Sequence, residues 1–314
     1  MHSAPALDVR PEVAAALDAG RPVVALVSAP IVHTLPWPIN LETYRLADAA
    51  VRAEQAILAV VAVWQGRPTV GLDAGEMEAL AQQSDVPRAS RRDLAAAIVS
   101  GRHAATTVSA SMYLAWRAGI RLLATGAIGG AARDVVHEDD YVWDISADLV
   151  EMSQTPMAVV SAGARSVHNL AFTAEVLETF RVPVIGYGTD AFPTFYMRVG
   201  SHPVPVRADT SAEVAALLTA HWSMDGAGAL VTHPTPADVA LLPDELLPAL
   251  HAVESQAAKD HVDRKDLSPF LMDRLNRLTD GKALRAYQAI LVTNSRLAAQ
   301  IARELPATSG SPRK

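Results

Sequence analysis

The residues with the clearest capacity for chemistry fall in five short segments. The first is Ala124-Thr125-Gly126-Ala127-Ile128-Gly129-Gly130. Glycines at the carboxyl edge of a strand let backbone N–H groups converge on an anion. The glycines alone also fit an ordinary tight turn, and their spacing is not the GxGxxG of a dinucleotide site. The second is Asp144-Ile145-Ser146-Ala147-Asp148-Leu149. Asp144 or Ser146 is placed to cap a helix, with Asp148 in its first turn. Alternatively, Ser146 donates to a phosphate and Asp148 is a single carboxylate on a hydrated Mg²⁺ or Mn²⁺. The third runs from Ala104 to Met112, where Thr106, Thr107, Ser109 and Ser111 surround a helix start. Those hydroxyls cap the helix or hold the polar edge of a ligand. The fourth, Ser90-Arg91-Arg92-Asp93, sets a basic pair beside a carboxylate, which ordinarily marks a surface or a cap. The fifth, Ala162-Gly163-Ala164-Arg165-Ser166, is another strand-to-helix turn. Each is weak singly; their recurrence at strand ends is what points to a site.

Other chemistries are missing. There is no cysteine, hence no thiolate metal site and no thiol nucleophile. The ten histidines show no HExxH spacing, and there is no GxSxG elbow and no P-loop. His33 lies in a proline-rich stretch and His137 in a polar one. The chain has four lysines, Lys259, Lys265, Lys282 and Lys314, so its first 258 residues carry no side-chain primary amine. GC-rich codon usage explains such a bias, but the chemical consequence is the same.

The elements that must position these groups follow from apolar periodicity. Helices are expected at 11–17, 41–54, 75–83, 91–100, 107–118, 146–153, 167–180 and 212–222, and from 243 to about 305. Apolar strands are expected at 22–26, 55–64, 120–125, 156–161, 182–187 and 228–232. Residues 29–40 and the polar stretch 133–143 read as loops, the latter a candidate active-site loop. Strands alternating with helices imply an α/β fold, with a buried, mostly parallel or mixed sheet. The expected organisation is a single domain over 1–305, with a helical cover from about 235 and a polar tail over 306–314.

The chain has 314 residues, half of them hydrophobic and 19% charged, a globular balance. Aromatics are 5%, so Ala, Val, Leu and Ile build the core. A net charge of −7 argues against nucleic acid as a main partner. No apolar run approaches a membrane span. A cytoplasmic location is the expectation.

Taken together, these segments resemble the pseudouridine-5′-phosphate glycosidase family, which includes indigoidine-cluster A type proteins and some C-glycoside-forming enzymes. Further stretches carry the resemblance: Val23-Val24-Ala25-Leu26; His33 with Pro36-Trp37-Pro38 and Asn40; Leu177-Glu178-Thr179-Phe180; Val182-Pro183-Val184-Ile185-Gly186-Tyr187; Ser268-Pro269-Phe270-Leu271; and Thr293-Asn294. The resemblance spans about Pro11 to Arg303. It implies an α/β/α layered fold, a homotrimer, and a site for ribose 5-phosphate beside Mn²⁺ or Mg²⁺. It also implies reversible cleavage of a C–C glycosidic bond, giving uracil and ribose 5-phosphate through a lysine imine. By the same resemblance Asp148 matches the metal ligand, and Thr125 with Gly126 and Ser146 falls where phosphate is held. Thr107, Val108 and Asn294 match positions that contact base or sugar.

The departures fall on the chemistry. The family's imine-forming lysine lies in Gly-Ala-Lys-Ser, where this chain has Arg165. A second lysine is Arg88 here, the acid/base glutamate is Val27, and a histidine after the Gly-Gly turn is Ala132. The loop that follows is longer than the family pattern. A guanidinium stays protonated with delocalised lone pairs, so it forms no imine, and valine moves no proton. Lys259, Lys265 or Lys282 substitutes only if the C-terminal helices fold over the site or reach a neighbouring subunit. Two arginines and a valine also carry one more positive charge than two lysines and a glutamate, which favours a more anionic ligand, such as a phosphosugar or a carboxylated C-glycoside.

Three functions are compatible with this pattern. The first is an enzyme acting on a C-glycoside or phosphosugar without a lysine imine, in which Arg165, Arg88 and His137, with Glu138, Asp139 and Asp140, supply charge and protons. The second is a silent phosphosugar-binding protein, or the partner of an active homologue. The third is the ordinary glycosidase reaction.

Overall fold

Residues 6–137, 140–166, 169–198, 200–262 and 267–306 are described by a computed structural model, with side chains omitted at 132–143 and 267–269. The strands are β1 (Asp8–Val9), β2 (Val23–Val27), β3 (Ile57–Trp64), β4 (Arg67–Val70), β5 (Arg88–Ala89), β6 (Ala104–Thr106), β7 (Leu122–Ala124), β8 (Ala131–His137), β9 (Asp140–Ile145), β10 (Ala158–Ser161), β11 (Val184–Tyr187), β12 (Val206–Ala208) and β13 (Ala229–Thr232). The helices are α1 (Pro11–Asp18), α2 (Ile39–Ala53), α3 (Ala74–Gln82), α4 (Leu94–Val99), α5 (Val108–Arg117), α6 (Ala147–Met152), α7 (Leu170–Thr179), α8 (Ser211–Ser223), α9 (Pro243–Lys259), α10 (Leu267–Leu278) and α11 (Lys282–Glu304).

The main sheet runs β1-β4-β3-β2-β7-β10-β13-β11-β12, with β6 on β3 and β5 on β6. From β3 through β2 to β12 every pairing is parallel, and β4 and β6 join β3 antiparallel. This is the mixed sheet of an α/β fold. Val23–Val27 is buried throughout, and so is Ile57–Val63. Such unbroken apolar runs need cover on both faces, because alternate side chains point oppositely. Helices α2 and α8 each pack on α11, which also lies against β2, β7 and β10, while α5 packs against β2 and β3 with α6 beside it. No helix among the described residues is long and apolar enough to cross a membrane.

Several sequence expectations change. The stretch 29–40 is not wholly loop: Pro30–Thr34 forms one π-helical turn closed by Leu35 N–H donating to Pro30 O at 3.1 Å, and α2 begins at Ile39. Within the polar stretch 133–143, residues 133–137 and 140–143 belong to the antiparallel strands β8 and β9, with Ala131 opposite Ile145. A two-stranded ribbon satisfies its backbone by pairing and needs no buried face, so the polarity that reads as loop is equally compatible with strand. The expected long helical run from 243 is three helices. Of these, α11 has Ala283, Ile290, Leu291, Leu297 and Ala298 buried, so it belongs to the core rather than covering it.

Candidate active site

A cleft opens at the carboxyl ends of β2, β7 and β10, where ligands bind in parallel α/β sheets. It encloses about 800 Å³ of non-protein space, including its open mouth. Val27, Arg88, Thr107, Val108, Thr125, Asp148 and Arg165 all line it. Seven residues chosen from sequence thus meet in one place, although the first and last, Val27 and Arg165, are 138 positions apart.

Local structure explains how each arrives. Val27 ends β2, paired to Val61. Arg88 sits on β5 opposite Ala105 of β6. Arg165 is held by a short ladder between the turns after β7 and β10. Ala162 N–H donates to Gly126 O at 2.9 Å, Ile128 N–H to Gly163 O at 3.0 Å, and Arg165 N–H to Ile128 O at 3.1 Å. Gly163 is required there: its φ is +85°, and a Cβ would lie 2.2 Å from Pro193 O.

Asp148 is buried and is the one carboxylate among the described residues lining the cleft. Its Oδ1 accepts the Ser109 N–H at 3.0 Å, and its Oδ2 accepts the Gly129 N–H at 2.9 Å. Thr107, at the N-cap of α5, makes no side-chain cap. Asp148 therefore satisfies an orphan N–H of that helix from a distance, and the Thr107 hydroxyl pairs with Ser109 Oγ at 3.0 Å. Gly129 leaves room for this: a Cβ there would stand 2.1 Å from Ser146 Oγ.

Three expected contacts lie elsewhere. Ser146 does not line the cleft; its Oγ caps α6 by accepting the Asp148 N–H at 3.2 Å. Asn294 is also off the cleft. Its amide donates to Thr125 O at 2.8 Å, and its Oδ1 meets His233 Nδ1 at 3.1 Å, so it fastens α11 to the end of β7. Gly126 lies beneath the Tyr287 ring, where a Cβ would approach Cε1 to 3.2 Å. The His137 side chain, with those of Ala132 and Asp140, lies outside the described residues, as do Glu138 and Asp139. Ser90–Asp93 proves to be a local cap, Asp93 accepting from Ser90 N–H and Oγ. Arg91 Nη1 donates to both oxygens of the buried Glu151 carboxylate at 2.8 Å, and its guanidinium lies over the Tyr113 ring.

No lysine among the described residues lines the cleft. Lys282 pairs with Glu245 at the surface, and Lys259 is exposed at the end of α9. Lys265 lies outside the described residues.

Spacing alone did not reveal the rest of the lining. Thr34, Phe195, Tyr196, Leu250, Leu271, Met272, Leu275 and Tyr287 form an apolar and aromatic wall brought largely by α9, α10 and α11. One signal was present: Tyr287 precedes Asn294 by seven residues, two helical turns on one face. Burial pushes the Tyr287 phenol up, with the nearby Arg165 and Arg88 charges opposing. His33, beside the cleft, is pushed down to about 4 by burial and by Arg88.

The donor set also bears on a metal. Each Asp148 oxygen has one lone pair committed to a backbone amide. No group of three or more His, Asp or Glu among the described residues is placed to hold an ion. A Mg²⁺ or Mn²⁺ that keeps several waters and takes oxygens from a phosphate fits such a site; an all-protein cage does not.

The chain is similar over nearly its whole length to known proteins. Residues 12–304 match the family model described as "Indigoidine synthase A like protein". The pseudouridine-5′-phosphate glycosidase of Jannaschia sp. (strain CCS1) is 44% identical over 301 residues, covering 95% of this chain and 98% of that protein. The protein of the same name from Petrotoga mobilis is 38% identical over 305 residues, covering 97% and 98%. Among solved structures, the prealnumycin C-glycosynthase AlnA in complex with ribulose 5-phosphate superposes with a TM-score of 0.83 at 34% identity, covering 95% of this chain and 96% of that one. An indigoidine synthase A (IdgA)-like protein from Thermotoga maritima gives a TM-score of 0.85 at 31% identity, covering 96% and 97%.

Proposed function

The chain belongs to the Indigoidine synthase A like protein family, and from that premise we propose that it takes a phosphorylated pentose or its C-glycoside and acts on the C–C glycosidic bond without a lysine imine. The observation that carries this reading is the joint presence of Arg88, Arg165 and Val27 in the cleft with Thr107, Thr125 and Asp148. The relatives' names supply the substrate class: a pseudouridine 5′-phosphate glycosidase and a C-glycosynthase holding ribulose 5-phosphate.

Arg88 and Arg165 present planar forks suited to phosphate or to an oxygen gaining negative charge. Neither loses its proton, so their contribution is binding and charge stabilisation. The N-terminus of α5 adds backbone N–H groups beside Thr107 and Val108, a setting that favours anions. The apolar wall from α9 and α10 excludes water from the sugar and its substituent, which strengthens these interactions. A Mn²⁺ or Mg²⁺ ion at Asp148 would neutralise phosphate charge.

A second reading is a phosphosugar-binding protein without turnover. It is favoured by one observation: the valine at the end of β2 brings no proton carrier to the cleft. One experiment separates the two. The purified chain is incubated with Mn²⁺ and pseudouridine 5′-phosphate, and separately with uracil and ribose 5-phosphate, and both directions are followed by mass spectrometry. Turnover lost in Arg165→Ala supports the enzyme. No turnover, with ribose 5-phosphate raising the melting temperature of the wild type but not of Arg165→Ala, supports the binding protein.

A further inference from the structure

We propose that Tyr287 determines recognition of the sugar, its hydroxyl donating a hydrogen bond to a pentose oxygen that Arg88 and Arg165 also face. The inference rests on the phosphosugar reading above and adds a residue to it.

Four observations place the phenol there. Tyr287 is buried in the protein, yet its ring forms part of the cleft lining with Arg88, Arg165 and Thr34. Its ring is clamped, edge-on to Phe195 at 5.0 Å between centroids and 81° between planes. It lies directly over Gly126, the turn glycine after β7, where any larger residue would press on Cε1 and Cζ. Thr34 from the π-helical turn lines the same cleft, and the charges of Arg88 and Arg165, which line it too, oppose the upward pull of burial on the phenol.

A phenol fixed this way costs little entropy when it meets a ligand, because packing has already set its rotamer. It stays protonated near neutral pH, since burial outweighs the two positive charges. The cleft therefore is lined by a neutral phenol as well as two guanidinium groups, a set complementary to an oxygen with partial negative charge. A carbonyl or ring oxygen of a pentose has that character. A phosphate, doubly charged, is already matched by the arginine forks and does not need the phenol.

Tyr287→Phe tests this in the full-length chain, because phenylalanine keeps the ring on Phe195 and Gly126. Isothermal calorimetry with ribose 5-phosphate and with inorganic phosphate, on wild type and variant, reads the effect. The expected result is about a tenfold loss of ribose 5-phosphate affinity, the scale of one hydrogen bond, with inorganic phosphate affinity unchanged. Equal loss for both ligands would reduce Tyr287 to a packing residue, and no loss for either would remove it from recognition; both overturn the inference and leave the phosphosugar reading intact. A wild type that binds neither ligand overturns the phosphosugar reading and this inference with it.

Discussion

Asp148 accepts the backbone N–H of Ser109 at 3.0 Å, so helix α5 is capped by a carboxylate 39 residues further along the chain. Its other oxygen takes the Gly129 N–H. One side chain therefore ties together the start of α5, the glycine turn after β7 and the start of α6, three backbone segments that surround the cleft.

Replacing that carboxylate should loosen all three. Asp148→Asn leaves one oxygen acceptor and turns an NH₂ toward the other amide. Hydrogen bonds to a charged group are worth about 1.5–3 kcal/mol each, so the expected loss is about 3 kcal/mol in urea unfolding. Ser146→Ala, which removes a helix cap, is expected to cost about 1 kcal/mol. If the two variants are equally stable, the two backbone hydrogen bonds of Asp148 contribute little to the fold.

Which parts of this site were legible in sequence follows from how each part is built. The strands β2, β3, β10 and β13 announce themselves as continuous apolar runs because they are buried on both faces. Thr125 and Arg165, in the turns after β7 and β10, follow from the same strand-end pattern, whereas Val27 at the end of β2 is singled out only by the family resemblance. The short strands β4, β5 and β6 do not announce themselves, since runs of two to four residues are too short to carry a periodicity. Asn294 looks like a ligand contact from its place in a motif, yet its amide is consumed by Thr125 O. Tyr287 was hidden for the opposite reason: an aromatic on a strongly amphipathic helix reads as core, and it is core, with one edge reaching the cleft.

Arg165 occupies the place where the family resemblance implies an imine-forming lysine, which makes the missing chemistry testable by restoring it. Arg165→Lys would put an amine in the cleft with Arg88 nearby, and a neighbouring positive charge lowers an amine's pKa and frees its lone pair. Incubation with ribose 5-phosphate and borohydride should then yield a covalent adduct seen by intact-protein mass spectrometry, enhanced when Val27→Glu is added. The wild type should give none. An adduct on the wild type would mean that a lysine from the C-terminal helices, or one outside the described residues, reaches the sugar.

His33 gives the fold a pH dependence that can be separated from the site's own chemistry. Burial and the Arg88 charge hold its pKa near 4 in the folded protein, against 6.5 for a free side chain, and its Nε2 has no hydrogen-bond partner among the described residues. As pH falls below 6.5, the unfolded chain binds this proton and the folded chain does not, so stability declines until the pH reaches about 4. Above 6.5 both states carry the neutral ring, and the contribution is constant. The full difference amounts to about 3 kcal/mol. Chemical denaturation of wild type and His33→Gln from pH 7 to pH 4 isolates it, because His103 and His233, also held low by burial, are common to both proteins. The wild type should lose about 3 kcal/mol more than the variant over that range. Parallel curves would show that His33 takes its proton inside the fold at its ordinary pKa, with the Arg88 guanidinium turned away from it.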